Sequence, residues 1–271
     1  MGQREEARAP HEIGFESHGV RVVVSASDGE LLSRLTSWLP PGAERGSAVP
    51  DDPRFEILTD DVCGYRLKIA DEPDMPCRDL DLAIGTLQRR VGGYVAAAAS
   101  DRTSIHAGAV VHDGRAILVP GYSLSGKTTL VTELVRLGAT FFSDEYAVLD
   151  ESGLVHPFPQ PMSVRIDGYG HIRRLDGDHG ATGSETPAPV GLVVITSYRA
   201  GVSWNPESLT SGAGAVALLA HAIAIDERPI AALAATRRAA ENALVFEGPL
   251  GEVADVAPAL LDIASETLDA R

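Results

Sequence analysis

Residues 116–137 constrain the fold of this chain more than any other stretch. Ala116, Ile117, Leu118 and Val119 form a short apolar run suited to a buried strand, and Leu130, Val131, Leu134, Val135 and Leu137 recur at helical spacing. Between them Gly121, Gly126, Lys127 and Thr128 match the pattern G-x-x-x-x-G-K-[ST]. The segment thus predicts a strand, a glycine loop and a helix. A polyphosphate is bulky and multiply charged. Backbone N–H groups must curl around it, and glycine permits so close an approach. A helix starting near Lys127 aims the positive end of its dipole at the same charge. The candidate nucleotide-binding residues are therefore Gly121, Tyr122, Ser123, Leu124, Ser125, Gly126, Lys127, Thr128 and Thr129. Lys127 is expected to reach the β- and γ-phosphates of ATP, and the Thr128 hydroxyl to ligate Mg²⁺. The fixed positions recur by chance in roughly one chain in a hundred of this length. The competing reading is a glycine-rich turn before an ordinary capped helix.

With 271 residues, 44% of them hydrophobic, the chain can bury one large core or two small ones. The formal charge of −15 argues against nonspecific binding to nucleic acid or to an anionic membrane. Cys63 and Cys77 lack metal-ligand spacing and are too few for a disulfide scaffold, which fits a reduced, cytoplasmic setting. No apolar run reaches transmembrane length, and Met1–Pro10 is charged, unlike a signal peptide.

Met1–Pro10 reads as a loose tail, Val20–Val24 as a strand, and Leu31, Leu32, Leu35 and Trp38 as one helical face. Ala43–Pro53 reads as a polar loop, Phe55–Leu58 and Tyr65–Ile69 as strands, and Asp79–Ala99 as a long helix. The expected division is a small α+β module over residues 1–78 and an α/β nucleotide-binding domain over 79–271. The first hundred residues carry no catalytic constellation. Ile105–Val111 is a predicted strand that turns at Asp113-Gly114, a hairpin signal, into Ala116–Val119. After the predicted helix, Gly138 is placed as its C-cap. Thr140–Phe142, Tyr146–Leu149, Met162–Ile166, Val190–Thr196 and Ala243–Phe246 read as strands. Asp176–Pro189 reads as a polar, mobile loop. Gly212–Ala224, Pro229–Ala240 and Val253–Leu268 read as helices.

Asp144 and Glu145 are the sharpest further candidates. They follow Lys127 by one helix and one strand, which in parallel topology places them at the C-terminal end of the neighbouring strand, beside the phosphates. One carboxylate could ligate Mg²⁺ and the other take the proton of an acceptor hydroxyl. A solvated turn is the alternative. His106, in Ser104-Ile-His-Ala-Gly108, lies on the strand paired with the loop's own strand. Periodicity alone reads it as a core histidine. Arg165 follows a proline-rich turn and Arg199 follows the Val193-Val194-Ile195 strand. Either could neutralise a transferring phosphoryl group, and either could equally form a surface ion pair.

Ser104-Ile-His-Ala-Gly108, the Asp113-Gly114 hairpin, Gly121–Thr128 and Ser143-Asp144-Glu145, in this order, resemble the C-terminal kinase domain of HPr kinase/phosphorylases. The likeness is closer to HPr-kinase-like proteins, some found with peptide-modification gene clusters, whose Pro-x-Pro-[Leu/Met]-Ser-x-[Arg/Lys] segment is similar to the block Pro157–Arg165. The resemblance implies a fold related to phosphoenolpyruvate carboxykinases, with His106 and Asp144 as site residues and Asp144 as the base. Two features of HPr kinases proper are not recognisable: the glycine-rich segment after the acid pair, and their N-terminal domain.

The expectation is an ATP- and Mg²⁺-dependent kinase that phosphorylates a serine or other hydroxyl on a peptide, protein or small molecule. Its catalytic residues would be Asp144, His106 and Lys127, with Thr128 and Glu145 holding the metal and Arg165 and Arg199 joining the loop in binding the nucleotide. The rival readings are a nucleotide-binding regulatory protein with little turnover, and a bifunctional kinase/phosphorylase. The oligomeric state, a homo-oligomer included, stays open.

Overall fold

The computed structural model describes residues 11–70, 72–122, 125–160, 163–165, 172–174 and 186–269. The tail expected at Met1–Pro10, and residues 176–185 of the loop expected at Asp176–Pro189, lie outside the described residues. The chain packs as two units, residues 1–95 with 166–173, and residues 96–165 with 174–271.

The first unit holds strands β1 (His11–Ser17) and β2 (Val20–Ala26), helix α1 (Gly29–Leu35), and strands β3 (Glu44–Gly46), β4 (Arg54–Asp60), β5 (Gly64–Ile69) and β6 (Met75–Cys77). Helix α2 (Leu80–Ala98) begins in this unit. The six strands form one sheet in the order β3-β1-β2-β4-β5-β6. Only β2 and β4 pair in parallel, the result of a crossover through α1. Asp28 starts that helix by accepting the Leu31 N–H at 2.8 Å. Val22, Val24, Phe55, Ile57, Leu67, Leu35, Ile84, Leu87 and Val91 are buried. Here β1 corrects the sequence reading, which began the sheet at Val20, and β3 lies within the expected loop Ala43–Pro53. The α1 helix stops at Leu35, short of Trp38.

The second unit is built on strands β7 (Thr103–His112) and β8 (Arg115–Pro120), helix α3 (Lys127–Arg136), and strands β9 (Thr140–Ser143), β10 (Tyr146–Leu149) and β11 (Leu154–His156). Short strand β12 (Ser163–Arg165) follows; β13 (Ile172–Arg174) falls mostly in the segment 166–173 that belongs to the first unit. Then come β14 (Ala188–Tyr198), β15 (Glu207–Leu209), α4 (Ser211–Leu219), α5 (Pro229–Glu241), β16 (Leu244–Leu250) and α6 (Val253–Asp269). The main sheet runs β11-β10-β7-β8-β14-β16-β15, with β9 also on β7 and β11 also on β14. It is mixed: β14 is parallel to β8 and β16, while β7 is antiparallel to β8.

The sheet is covered on both faces, and β8 shows why its sequence is unbroken apolar. Ala116 and Leu118 join Leu218 of α4 and Ala235 of α5 in one core. Ile117 and Val119 join Leu130 of α3 and Leu260 of α6 in the other. A strand buried on both sides cannot alternate with polar residues. The β7–β8 hairpin turns on Asp113 (φ 47°) and Gly114 (φ 73°), both left-handed, as a tight two-residue turn requires. Gly138 (φ 106°) follows α3.

Three expectations change in this unit. Ala188 and Pro189 belong to β14, not to the preceding loop. The helix expected over Gly212–Ala224 is α4, which ends at Leu219, and His221–Ile223 instead form backbone bonds to β7. The strand before the acid pair, β9, is not the neighbour of β8. It runs in the same direction as β8 but is separated from it by β7, to which both are antiparallel. No described helix is long and apolar enough to cross a membrane.

Candidate functional site

The G-x-x-x-x-G-K-T segment spans the turn from β8 to α3. Gly126 holds the turn at φ 92°, a left-handed conformation that a side chain would strain. It caps α3 without a side chain. The first helical bond runs from the Leu130 N–H to the Gly126 carbonyl, so the N–H groups of Lys127, Thr128 and Thr129 precede the ladder. Oriented N–H groups and the helix dipole together favour an anion at this point. Close to the turn, the Tyr198 N–H donates to the Ser125 carbonyl at 3.1 Å, which ties the end of β14 to the loop. Ser123 and Leu124 lie outside the described residues.

Lys127 is only 6% exposed. Its Nζ donates to the carbonyls of Gly121 (2.6 Å) and Tyr122 (2.9 Å), two bonds from a group that carries three protons. Burial pulls its pKa down, against the opposing charges of Glu145 and Asp144. The lysine and the acid pair thus sense one another.

Asp144 and Glu145 sit where the chain breaks between β9 and β10. Both strands lie on the same edge of β7, β9 against Ala109–Val111 and β10 against Thr103–His106. The Ser143 hydroxyl shapes the break by accepting the N–H groups of Glu145 (3.2 Å) and Tyr146 (2.9 Å). The Glu145 carbonyl accepts the Ala107 N–H at 3.2 Å. Asp144 is 7% exposed, and its Oδ2 accepts a hydrogen bond from the Thr128 hydroxyl at 3.3 Å. Burial, then the charge of Glu145, pushes its pKa up to about 7; the Thr128 bond and Lys127 pull the other way. The strand order differs from the expected one, yet the acid pair still lies at the loop, because β9 and β8 end on the same side of the sheet.

His106 is not a core histidine. Its Nε2 lies 3.1 Å from Glu145 Oε1, and its residue pairs with Tyr146 across the β7–β10 ladder. Arg199 is exposed, and its N–H donates to the Leu250 carbonyl at 2.8 Å, next to the loop-bound Tyr198. Arg165 is placed only as the end of β12.

One residue at the site carries no sequence signal: His221. It lies in an alanine-rich run with no motif around it. Its carbonyl accepts the His106 N–H at 2.8 Å, and its ring meets the Tyr122 ring with centroids 4.5 Å apart. Burial, with the charges of His106 and Lys127, lowers its pKa. Only tertiary pairing brings it here, so neither periodicity nor spacing could have found it.

Among the described residues, no three His, Cys, Asp or Glu side chains converge to hold a metal ion. A magnesium ion needs fewer: one or two carboxylates, a hydroxyl and substrate phosphates suffice. Thr128 and the acid pair supply hard oxygens of that kind, and they fit.

Similarity to known proteins is confined to structure. The Hpr(Ser) kinase/phosphatase from Coxiella burnetii is one solved structure to which the chain is similar, at 16% sequence identity and a TM-score of 0.34, over 62% of this chain and 97% of that one. No protein-family model matches the chain. No curated protein matches it.

Proposed function

We propose that this protein is an ATP-dependent phosphotransferase of HPr-kinase-like type, which moves the γ-phosphoryl group to a hydroxyl, such as a serine, on a peptide, protein or small molecule. The observation that carries the reading is the convergence of Lys127, Thr128 and a buried, near-neutral Asp144 at the start of α3. A structural turn has no use for a carboxyl group buried beside a threonine hydroxyl. A phosphoryl transfer site does.

The N–H groups at the start of α3 and the Lys127 ammonium bind and orient the phosphates. Asp144, whose pKa of about 7 matches neutral conditions, takes the proton of the attacking hydroxyl. His106 and Glu145 stand beside it as a bonded pair. Thr128 and Glu145 would hold Mg²⁺, which supplies charge neutralisation when bound. The same groups serve the reverse step, since a carboxyl near neutrality both accepts and returns a proton.

The test is ADP release from ATP, with and without candidate hydroxyl acceptors. Acceptor-stimulated release that is lost in Lys127→Ala supports the kinase. Tight ATP binding with no release under any acceptor favours a regulatory nucleotide-binding protein instead.

A further inference from the structure

The last rung of the β14–β16 ladder packs against the glycine loop. Tyr198 pairs there with Leu250. β14 continues past its rungs with β8, which end at Val193 opposite Leu118, and so reaches the loop itself. The Tyr198 N–H donates to the Ser125 carbonyl at 3.1 Å. Its Cβ lies 3.3 Å from the point that a Cβ on Gly126 would occupy, and Leu250 Cδ2 lies 3.6 Å from the same point. At the far end of the side chain, the Tyr198 hydroxyl donates to Glu252 Oε1 at 3.1 Å, just before α6 begins. Backbone and hydroxyl are both held, yet the residue is 50% exposed.

A lone exposed aromatic residue is ordinary on a protein surface. Tyr198 differs in its stiffness and in its place. β8 has β7 on one side and β14 on the other. The acid pair and His106 lie on the β7 side, because β9 and β10 both pair with β7. A nucleoside triphosphate is a linear ligand, with the reacting phosphate at one end and the base at the other. Phosphates at the start of α3, with the terminal one toward Asp144, send the base toward β14. That crevice, outside the carboxyl ends of the parallel strands, is where open sheets of this kind bind ligands. Tyr198 offers an exposed ring on that side. Tyr122, also exposed, packs instead on His221, whose carbonyl holds the His106 N–H, so its ring sits on the β7 side with the reacting end.

We infer that Tyr198 is the base-binding shelf of the nucleotide site, with the nucleobase stacked on its ring. This rests on the phosphotransferase reading and adds to it a subsite for the end of the nucleotide that does not react. Every base presents a π-face, so stacking on an aromatic ring tolerates a change of base. A ring already fixed at both ends gives up little further freedom when a base settles on it. The contact belongs to the ring, while the hydroxyl only steadies it through Glu252.

The experiment compares ATP with inorganic tripolyphosphate, which keeps the phosphates and lacks the base, by calorimetry with Mg²⁺ on wild type, Tyr198→Ala and Tyr198→Phe. Tyr198→Ala should weaken ATP about tenfold, the worth of one base stacked on an aromatic ring. It should leave tripolyphosphate unchanged, since the backbone bond to Ser125 survives the substitution. Tyr198→Phe should keep most of the ATP affinity. In wild type, the proton signals of the Tyr198 ring should move with ATP and not with tripolyphosphate, a readout that depends on no variant folding. Equal weakening of both ligands in Tyr198→Ala, or ring signals that bound ATP leaves unmoved, would overturn the shelf and leave the phosphotransferase reading standing. Wild-type protein that binds neither ligand would overturn both.

Discussion

The Thr128 hydroxyl donates to Oδ2 of Asp144 across 3.3 Å, from the first turn of α3 to the break between β9 and β10. This single bond links the two sequence motifs that carry the proposed chemistry. It also sets a conflict: Asp144 is buried and lies beside Glu145, so its ionised form is disfavoured until a cation or an arriving proton resolves it.

The two carboxylates should separate by mutation. Asp144→Asn keeps ATP binding and lowers transfer by roughly two orders of magnitude, the size of a lost general base. Glu145→Gln weakens the Mg²⁺ dependence of turnover. Steady-state transfer over a magnesium titration checks both. A fully active Asp144→Asn beside an inactive Glu145→Gln would exchange their roles.

Stability should carry the signature of Asp144. Its folded pKa of about 7 stands above the ordinary carboxyl value of 3.8, so the folded state holds the proton more tightly than the unfolded chain. That contribution is complete below about pH 4 and is lost as pH rises through about 7. At most it amounts to about 4 kcal/mol, from about three pKa units at 1.36 kcal/mol each. Ligand-free Asp144→Asn should therefore melt several degrees above wild type at pH 8 and close to it at pH 4. Thermal unfolding at the two pH values decides, and an equal Tm difference at both would reject the burial argument.

Lys127→Ala should weaken ATP binding by about ten- to a hundredfold, the range for a hydrogen bond to a charged group, and abolish transfer. The side chain is buried and its ammonium bonds the Gly121 and Tyr122 carbonyls, so truncation leaves both acceptors unpaired and should also lower Tm by a few degrees. Calorimetry and a melting curve on the same sample check the two halves.

What the sequence made legible was local. The β8 strand, the loop and α3 are contiguous, and each is dictated by its own residues. The Asp113-Gly114 turn is equally self-contained. Strand order is not local: that β7 lies between β8 and β9 follows from pairing residues distant in the chain, and no spacing encodes it. The partners of His106 illustrate both cases. Glu145 is legible in the sequence as half of an acid pair, whereas His221 enters only because α4 ends at Leu219 and the chain turns back to β7. The missed strand β1 has polar, exposed positions at His11, Glu12 and Glu16 that mask the buried Phe15 and Ser17.

Gly108 offers a test of packing behind the site. A Cβ at this position would lie 2.6 Å from Cγ2 of Val131, a β-branched, fully buried residue of α3 with little freedom to move. Gly108→Ala should therefore push α3 from β7 and cost about 1–3 kcal/mol. Val131→Ala alone leaves a cavity. The double variant should be more stable than the sum of the single effects, since the added methyl group fills the removed one. Denaturant unfolding of the four proteins gives the coupling, and a zero coupling would place the strain elsewhere.

The acceptor is constrained by charge. The chain carries a formal −15, so a substrate approaching its surface meets a negative field unless it brings positive charge. Serine peptides flanked by lysine or arginine should be phosphorylated with a higher kcat/KM than the same serine flanked by aspartate or glutamate. Because the preference arises in the encounter, salt should erode it: the ratio of the two kcat/KM values should fall as ionic strength rises past the range where the Debye length shrinks below about 10 Å. HPr should be a poor substrate, because the glycine-rich segment that the resemblance to HPr kinases leads one to expect after the acid pair is not recognisable in the sequence. Phosphoryl transfer from labelled ATP to HPr and to the paired peptides, at low and high salt, measures all three quantities. Efficient labelling of HPr, or a peptide preference that salt leaves untouched, would move acceptor selection from the field of the whole chain to a specific pocket.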